Sequence, residues 1–173
     1  QRSASLFLVK TTYATIFALL FLFIQQPYPF IPIQLTLTSV VTIGIPSFIL
    51  ALEPNKEVVK GHFFPKVISK SLPAALTIVS NIIIVVIVKN IFHFTNIETS
   101  TICVLLTGLT GFILLYRLCN PLNLIRSILL VSMITVFFVG ILGLKNIFMV
   151  ASITPYMTGI VIILTIISYI VFN

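Results

Sequence analysis

The sequence predicts an all-α integral membrane protein, a bundle of six transmembrane helices in one domain covering residues 1–173. Three observations carry this. Of the 173 residues, 59% are hydrophobic and only 8% are charged. Mean hydropathy is +1.24, beyond what a water-soluble domain of this size shows. At about 20 residues per membrane crossing, the length divides into six apolar runs with short connections.

The first helix is expected over 6–25. It ends in Gln25-Gln26-Pro27-Tyr28-Pro29, where the prolines stop it and Tyr28 and Phe30 suit a membrane interface. The second is expected over 33–52. The stretch from Glu53 to Lys70 is the most polar in the chain and reads as a solvated loop with two glutamates, four lysines and His62. A third helix follows over 69–91, with Pro73 in its first turns. The Lys89–Thr99 connection holds His93 and Glu98. The fourth helix, 101–118, places Thr107, Gly108, Thr110 and Gly111 on a small-residue face suited to close helix contact. Asn120-Pro121-Leu122-Asn123 is a tight turn. The fifth and sixth helices are expected over 124–142 and 153–171.

The formal net charge is +7. The basic residues sit at the ends of apolar runs and not in a stripe, so they read as an orientation signal and not as a nucleic-acid surface. Arg2, Lys56, Lys60, Lys66, Lys70, Arg117 and Arg126 fall on one side, Lys89 and Lys145 on the other. The richer side is cytoplasmic under the positive-inside rule, and both termini lie there. The setting is the cell membrane, crossed several times. Cys103 and Cys119 are about 24 Å apart on one helix and read as packing residues. The two histidines are isolated in loops on opposite sides, with no metal-binding pattern around them.

The second helix is chemically unusual. It carries Thr36, Thr38, Ser39 and Thr42, then Gly44 and Pro46 near its middle. Proline removes a helical hydrogen bond and crowds the preceding turn, costing about 3 kcal/mol. In hydrocarbon the freed carbonyl needs a new partner, so a break here belongs inside protein or beside a polar cavity. Interrupted helices of this kind hold cations in many transporters. A packing kink with its hydroxyls bonded back to their own helix is the competing account. The break is expected as an unwound or sharply kinked stretch between Val41 and Pro46.

Pro32-Ile33-Gln34-Leu35, Thr42-Ile43-Gly44-Ile45-Pro46 and Leu50-Ala51-Leu52-Glu53-Pro54-Asn55 together resemble the sixth transmembrane helix of cation-transporting P-type ATPases. Calcium pumps of that family read Pro-Val-Gln-Leu-Leu-Trp-Val-Asn-Leu-Val-Thr-Asp-Gly-Leu-Pro here, in register without gaps. The resemblance implies that this chain is the fifth to tenth transmembrane helices of a bacterial pump. It places Lys10, Thr11, Thr38, Ser39, Thr42, Gly44, Pro46 and Arg117 along the ion path. It makes Glu53, Pro54, Asn55 and Lys56 the start of a loop that touches the phosphorylation domain. By the same implication the missing partners are the first four helices and the cytoplasmic domains. The parent needs ATP and magnesium, and the cargo is a cation, calcium before magnesium, potassium or protons.

The departures matter as much. Ala14, Ile43 and Arg117 stand where calcium pumps have ligand acids, and Ser39 replaces an asparagine. A two-calcium site is therefore not expected, and a single cation is. Lys10 either snorkels to the headgroups or acts as a built-in counter-charge facing Ser39 and Thr42. The chain contains no aspartate and no glycine-rich phosphate loop, so it is not expected to hydrolyse ATP by itself. The alternative function is a six-helix substrate-binding component of a vitamin or metal uptake transporter, for which Ala14 and Ala18 would offer the small-residue contact.

Overall fold

The computed structural model describes residues 2–23, 27–53 and 63–172. Its described secondary structure is entirely helical. The elements are α1 (Arg2–Phe23), α2 (Pro32–Leu52), α3 (Phe63–Phe92), α4 (Asn96–Cys119), α5 (Leu124–Gly143) and α6 (Pro155–Phe172). α1, α2, α4, α5 and the Val67–Phe92 part of α3 are long and apolar enough to cross a membrane, while the apolar part of α6 is shorter. The ends of α2 at Pro32 and of α4 at Asn96 are called outer below, and their opposite ends inner.

α4 is the centre of the bundle. It packs against α2, α3, α5 and α6, and most of its residues from Thr99 to Cys119 are buried. The small residues expected on this helix permit that approach. A Cβ on Gly108 would lie 2.3 Å from Cζ of Phe137 on α5, and one on Gly111 would lie 3.0 Å from the methyl of Thr42 on α2. Gly140 of α5 meets Leu37 of α2 in the same manner, at 2.9 Å. α1 lies on α3 and the second half of α2. Edge-to-face contacts of Phe17 with Phe30 and of Phe21 with Tyr28 bind its outer half to the Tyr28–Phe30 segment, while Tyr13 packs edge-on to Phe17 within the helix.

Three boundaries differ from the sequence expectation, each for a physical reason. α3 begins at Phe63 and not near residue 69, so Pro73 lies inside the helix and not in its first turns. Hydropathy marks where a helix leaves the membrane, not where its backbone pairing stops. α4 begins at Asn96 because Thr95 and Glu98 form a reciprocal cap: the Thr95 amide donates to Glu98 Oε2 at 2.8 Å, and the Glu98 amide donates to Thr95 Oγ1 at 3.3 Å. Glu98 is thus part of the helix and not of the loop. α6 begins at Pro155, whose missing N–H costs nothing in a first turn. The expected end of α1 at Gln25 falls outside the described residues.

α2 is interrupted at the expected place, and the interruption is a π-helical turn over Val40–Gly44. The backbone stays in the right-handed helical region through it, and Ile45 N–H reaches back to the Val40 carbonyl. No unwound gap opens. Pro46 follows immediately, buried in the first turn of the α-helical second half, Ile45–Leu52. Widening by one residue moves the carbonyls out of the path of the proline ring while keeping the chain helical. α5 ends in a second π-helical turn, Val139–Gly143.

Candidate functional site

The candidate site is the middle of α2, where it faces α4. Thr42 lies about 15 Å along the helix from Pro32, close to the centre of a hydrocarbon layer about 30 Å thick. Thr38 and Thr42 are buried, with 2% and 4% of their surface exposed. Ser39 is half-buried, and Gly44 is exposed at the turn. Thr42 Oγ1 donates to the Thr38 carbonyl at 2.7 Å, and Thr38 Oγ1 donates to the Gln34 carbonyl at 3.1 Å. Both hydroxyls are thus bonded to their own helix, as the packing account requires. Their oxygen lone pairs are not consumed by donating, so the same geometry leaves acceptors pointing off the helix. Pro46 supplies no N–H, and Ser47 Oγ donates to the Gly44 carbonyl at 2.9 Å, capping part of the turn.

The structure gathers Thr38, Thr42, Gly44 and Pro46 within two turns of one helix. It does not bring Lys10, Thr11 or Arg117 into that buried group. Lys10 and Thr11 lie on an exposed face of α1, where Thr11 Oγ1 donates to the Phe7 carbonyl at 2.7 Å. Arg117 is exposed near the inner end of α4. Ala14 is half-buried and Ala18 exposed, so the small-residue pair on α1 forms no buried seam in this bundle.

At the inner end of α2, Glu53 is not in a solvated loop. Arg126 Nε donates to Glu53 Oε2 and Arg126 Nη2 meets Oε1, both at 2.8 Å, with the two side chains 11% and 12% exposed. The same guanidinium donates from Nη1 to the carbonyls of Pro121 and Cys119, at 2.7 and 3.3 Å. The pair joins residues 73 positions apart, which no local pattern announces. Pro54, Asn55 and Lys56 lie outside the described residues, as does His62.

Further polar groups at membrane depth escaped the sequence reading. Gln34, wholly buried, donates from Nε2 to the Met149 carbonyl at 2.9 Å and accepts at Oε1 from Ser100 Oγ at 2.6 Å. Asn81 Nδ2 donates to Ser168 Oγ at 2.8 Å between α3 and α6. Each is a lone amide inside an apolar run, and that was the available signal. Thr110 Oγ1 is buried with no hydrogen-bond partner among the described residues. No group of three His, Cys, Asp or Glu that could hold a metal ion occurs among them. The sequence contains no aspartate.

The chain is 32% identical over 136 residues to the probable cation-transporting ATPase exp7 of Streptococcus pneumoniae serotype 4, a match covering 74% of this chain and 18% of that protein. It is 39% identical over 88 residues to the calcium-transporting ATPase CtpE of Mycolicibacterium smegmatis, covering 45% of this chain and 11% of the relative. CtpE of Mycobacterium bovis is 40% identical over the same length. The matches therefore span less than a fifth of the curated relatives. No family model matches the sequence, and no solved structure matches it.

Proposed function

This chain is a relative of the cation-transporting P-type ATPases, and we propose that it is the membrane-embedded transport segment of such a pump, supplying part of the ion path. The observation that carries the reading is the interrupted α2. In its support, a π-helical turn followed by a buried proline interrupts α2 beside the buried Thr38 and Thr42, and Thr42 packs against Gly111 of the central helix. Backbone and hydroxyl oxygens in such a place suit a hard cation. One cation fits better than two, since Ala14, Ile43 and Arg117 offer no carboxylate. Further oxygens would come from helices outside this chain. Calcium is favoured over magnesium, potassium or protons, supported by the name of the CtpE relatives.

ATP hydrolysis, with its magnesium, belongs to cytoplasmic domains of the parent protein. Movement would enter through α1 and through the chain after Glu53, and leave as a change in access to the α2 oxygens. The test is ATPase activity of the purified parent protein, with calcium, magnesium and potassium salts titrated separately. Stimulation by micromolar calcium is the expected result. Activity indifferent to every cation would overturn the reading.

A further inference from the structure

α2 is held at both ends by the same neighbours. At its outer end Gln34 is tied to Ser100 in the first turns of α4 and to the Met149 carbonyl beyond α5. At its inner end Glu53 is gripped by Arg126, whose second arm holds the last carbonyl of α4 and the turn that follows it. The two-point guanidinium–carboxylate contact fixes orientation as well as distance. Between these ties lies the one wide turn in α2, Val40–Gly44, with Thr42 against Gly111 of α4. A third tie comes from another direction: Ser3 Oγ of α1 donates to the Ser47 carbonyl at 2.9 Å, just past Pro46.

A rod clamped at both ends cannot slide or rotate as a unit. Any displacement that α1 imposes at Ser47 must be absorbed between the clamps. The eight-residue α-helical piece Ile45–Leu52 is regular and stiff, whereas a π-helical turn changes hydrogen-bond register at small cost. We propose that Arg126 is a positioning residue for transport: by holding Glu53 it confines the motion of α2 to the Val40–Gly44 turn, which carries Thr42. The inference rests on the pump reading for its transport consequence but not for the anchoring itself. Arg126 is not one of the proposed cation ligands. It acts on Thr42 through the length of Ile45–Leu52.

The test uses the purified parent protein in lipid nanodiscs with Arg126→Gln, Arg126→Lys, Glu53→Gln and the exchanged pair Glu53→Arg/Arg126→Glu. Two readouts are taken. Backbone hydrogen exchange over residues 40–45 should quicken about ten-fold in Arg126→Gln, while residues 33–38 near the outer clamp stay unchanged. The half-saturating cation concentration for ATPase activity should rise about five- to thirty-fold with the maximal rate little altered. Arg126→Lys should be intermediate, because an ammonium keeps the charge but not the fork. The exchanged pair should recover both readouts, separating loss of the tie from general misfolding. Unchanged exchange in both Arg126→Gln and Glu53→Gln would overturn the anchor. Faster exchange with unaltered cation affinity would overturn the positioning role. If no cation stimulates the wild-type protein, the pump reading fails, and the exchange result alone decides the anchor.

Discussion

Thr42 and Gly111 touch across the α2–α4 interface so closely that a single added carbon on Gly111 would come within 3.0 Å of the Thr42 methyl. The oxygen-bearing turn of α2 is thus positioned by the absence of a side chain on its neighbour. Gly111→Ala should displace Thr42 by a few tenths of an ångström and weaken cation stimulation several-fold, with a small loss of thermal stability. Gly108→Ala should do the reverse. Its Cβ would fall 2.3 Å from a ring carbon of Phe137, which is itself wholly buried and packed edge-on to Phe112. Overpacking of that kind costs about 1–3 kcal/mol. Thermal unfolding and cation titration of the two variants should rank them in opposite orders.

Thr42→Val keeps the shape of the side chain and removes its oxygen. The loss of a hydrogen bond to the Thr38 carbonyl is worth about 1 kcal/mol. If the oxygen serves the cation, the half-saturating concentration should rise about ten-fold, more than the stability change explains. Equal affinity in Thr42→Val and wild type would leave Thr42 a packing residue.

Gln34→Leu should be costly in stability. The change strips the Ser100 hydroxyl and the Met149 carbonyl of a buried partner, at about 1–3 kcal/mol. A fall in the melting temperature of the purified protein, with an unchanged maximal rate at saturating cation, is the expected pattern.

Lys10→Ala separates two roles for a lysine on an exposed face of α1. A fixed counter-charge beside the ion path predicts altered cation affinity, or altered ATPase rate without cation, at unchanged melting temperature. A headgroup-seeking lysine predicts no change in either, and that result would remove Lys10 from the path.

The helices were legible because hydropathy in a membrane protein is nearly a direct readout of depth. The interruption of α2 was legible too, because Pro46 has one backbone consequence wherever it stands. Its form was not. Whether a chain relieves a proline by unwinding or by widening depends on what packs beside it, here Gly111 and Gly140. The α2–α5 ion pair was beyond reach for a similar reason. Glu53 sits at the edge of a lysine-rich stretch that reads as solvated, and its partner lies three helices later. Glu98 was misplaced because a capping glutamate and a loop glutamate differ only in whether a threonine stands three residues earlier, as Thr95 does.

The contact between Asn81 and Ser168 has a meaning apart from strength. The buried edge of α6 is Met157, Val161, Leu164 and Ser168, while its other faces expose Ile162, Ile163, Ile166, Ile167 and Ile170. To van der Waals forces a run of isoleucines looks much the same after a shift of one turn. Hydrocarbon offers no water to a displaced amide, and model helices put such a bond at about 1–2 kcal/mol. Shifted by a turn, α6 would keep most of its apolar contact and lose that bond. Asn81 therefore works as an index mark: it tells the last helix which of several nearly equivalent heights is its own.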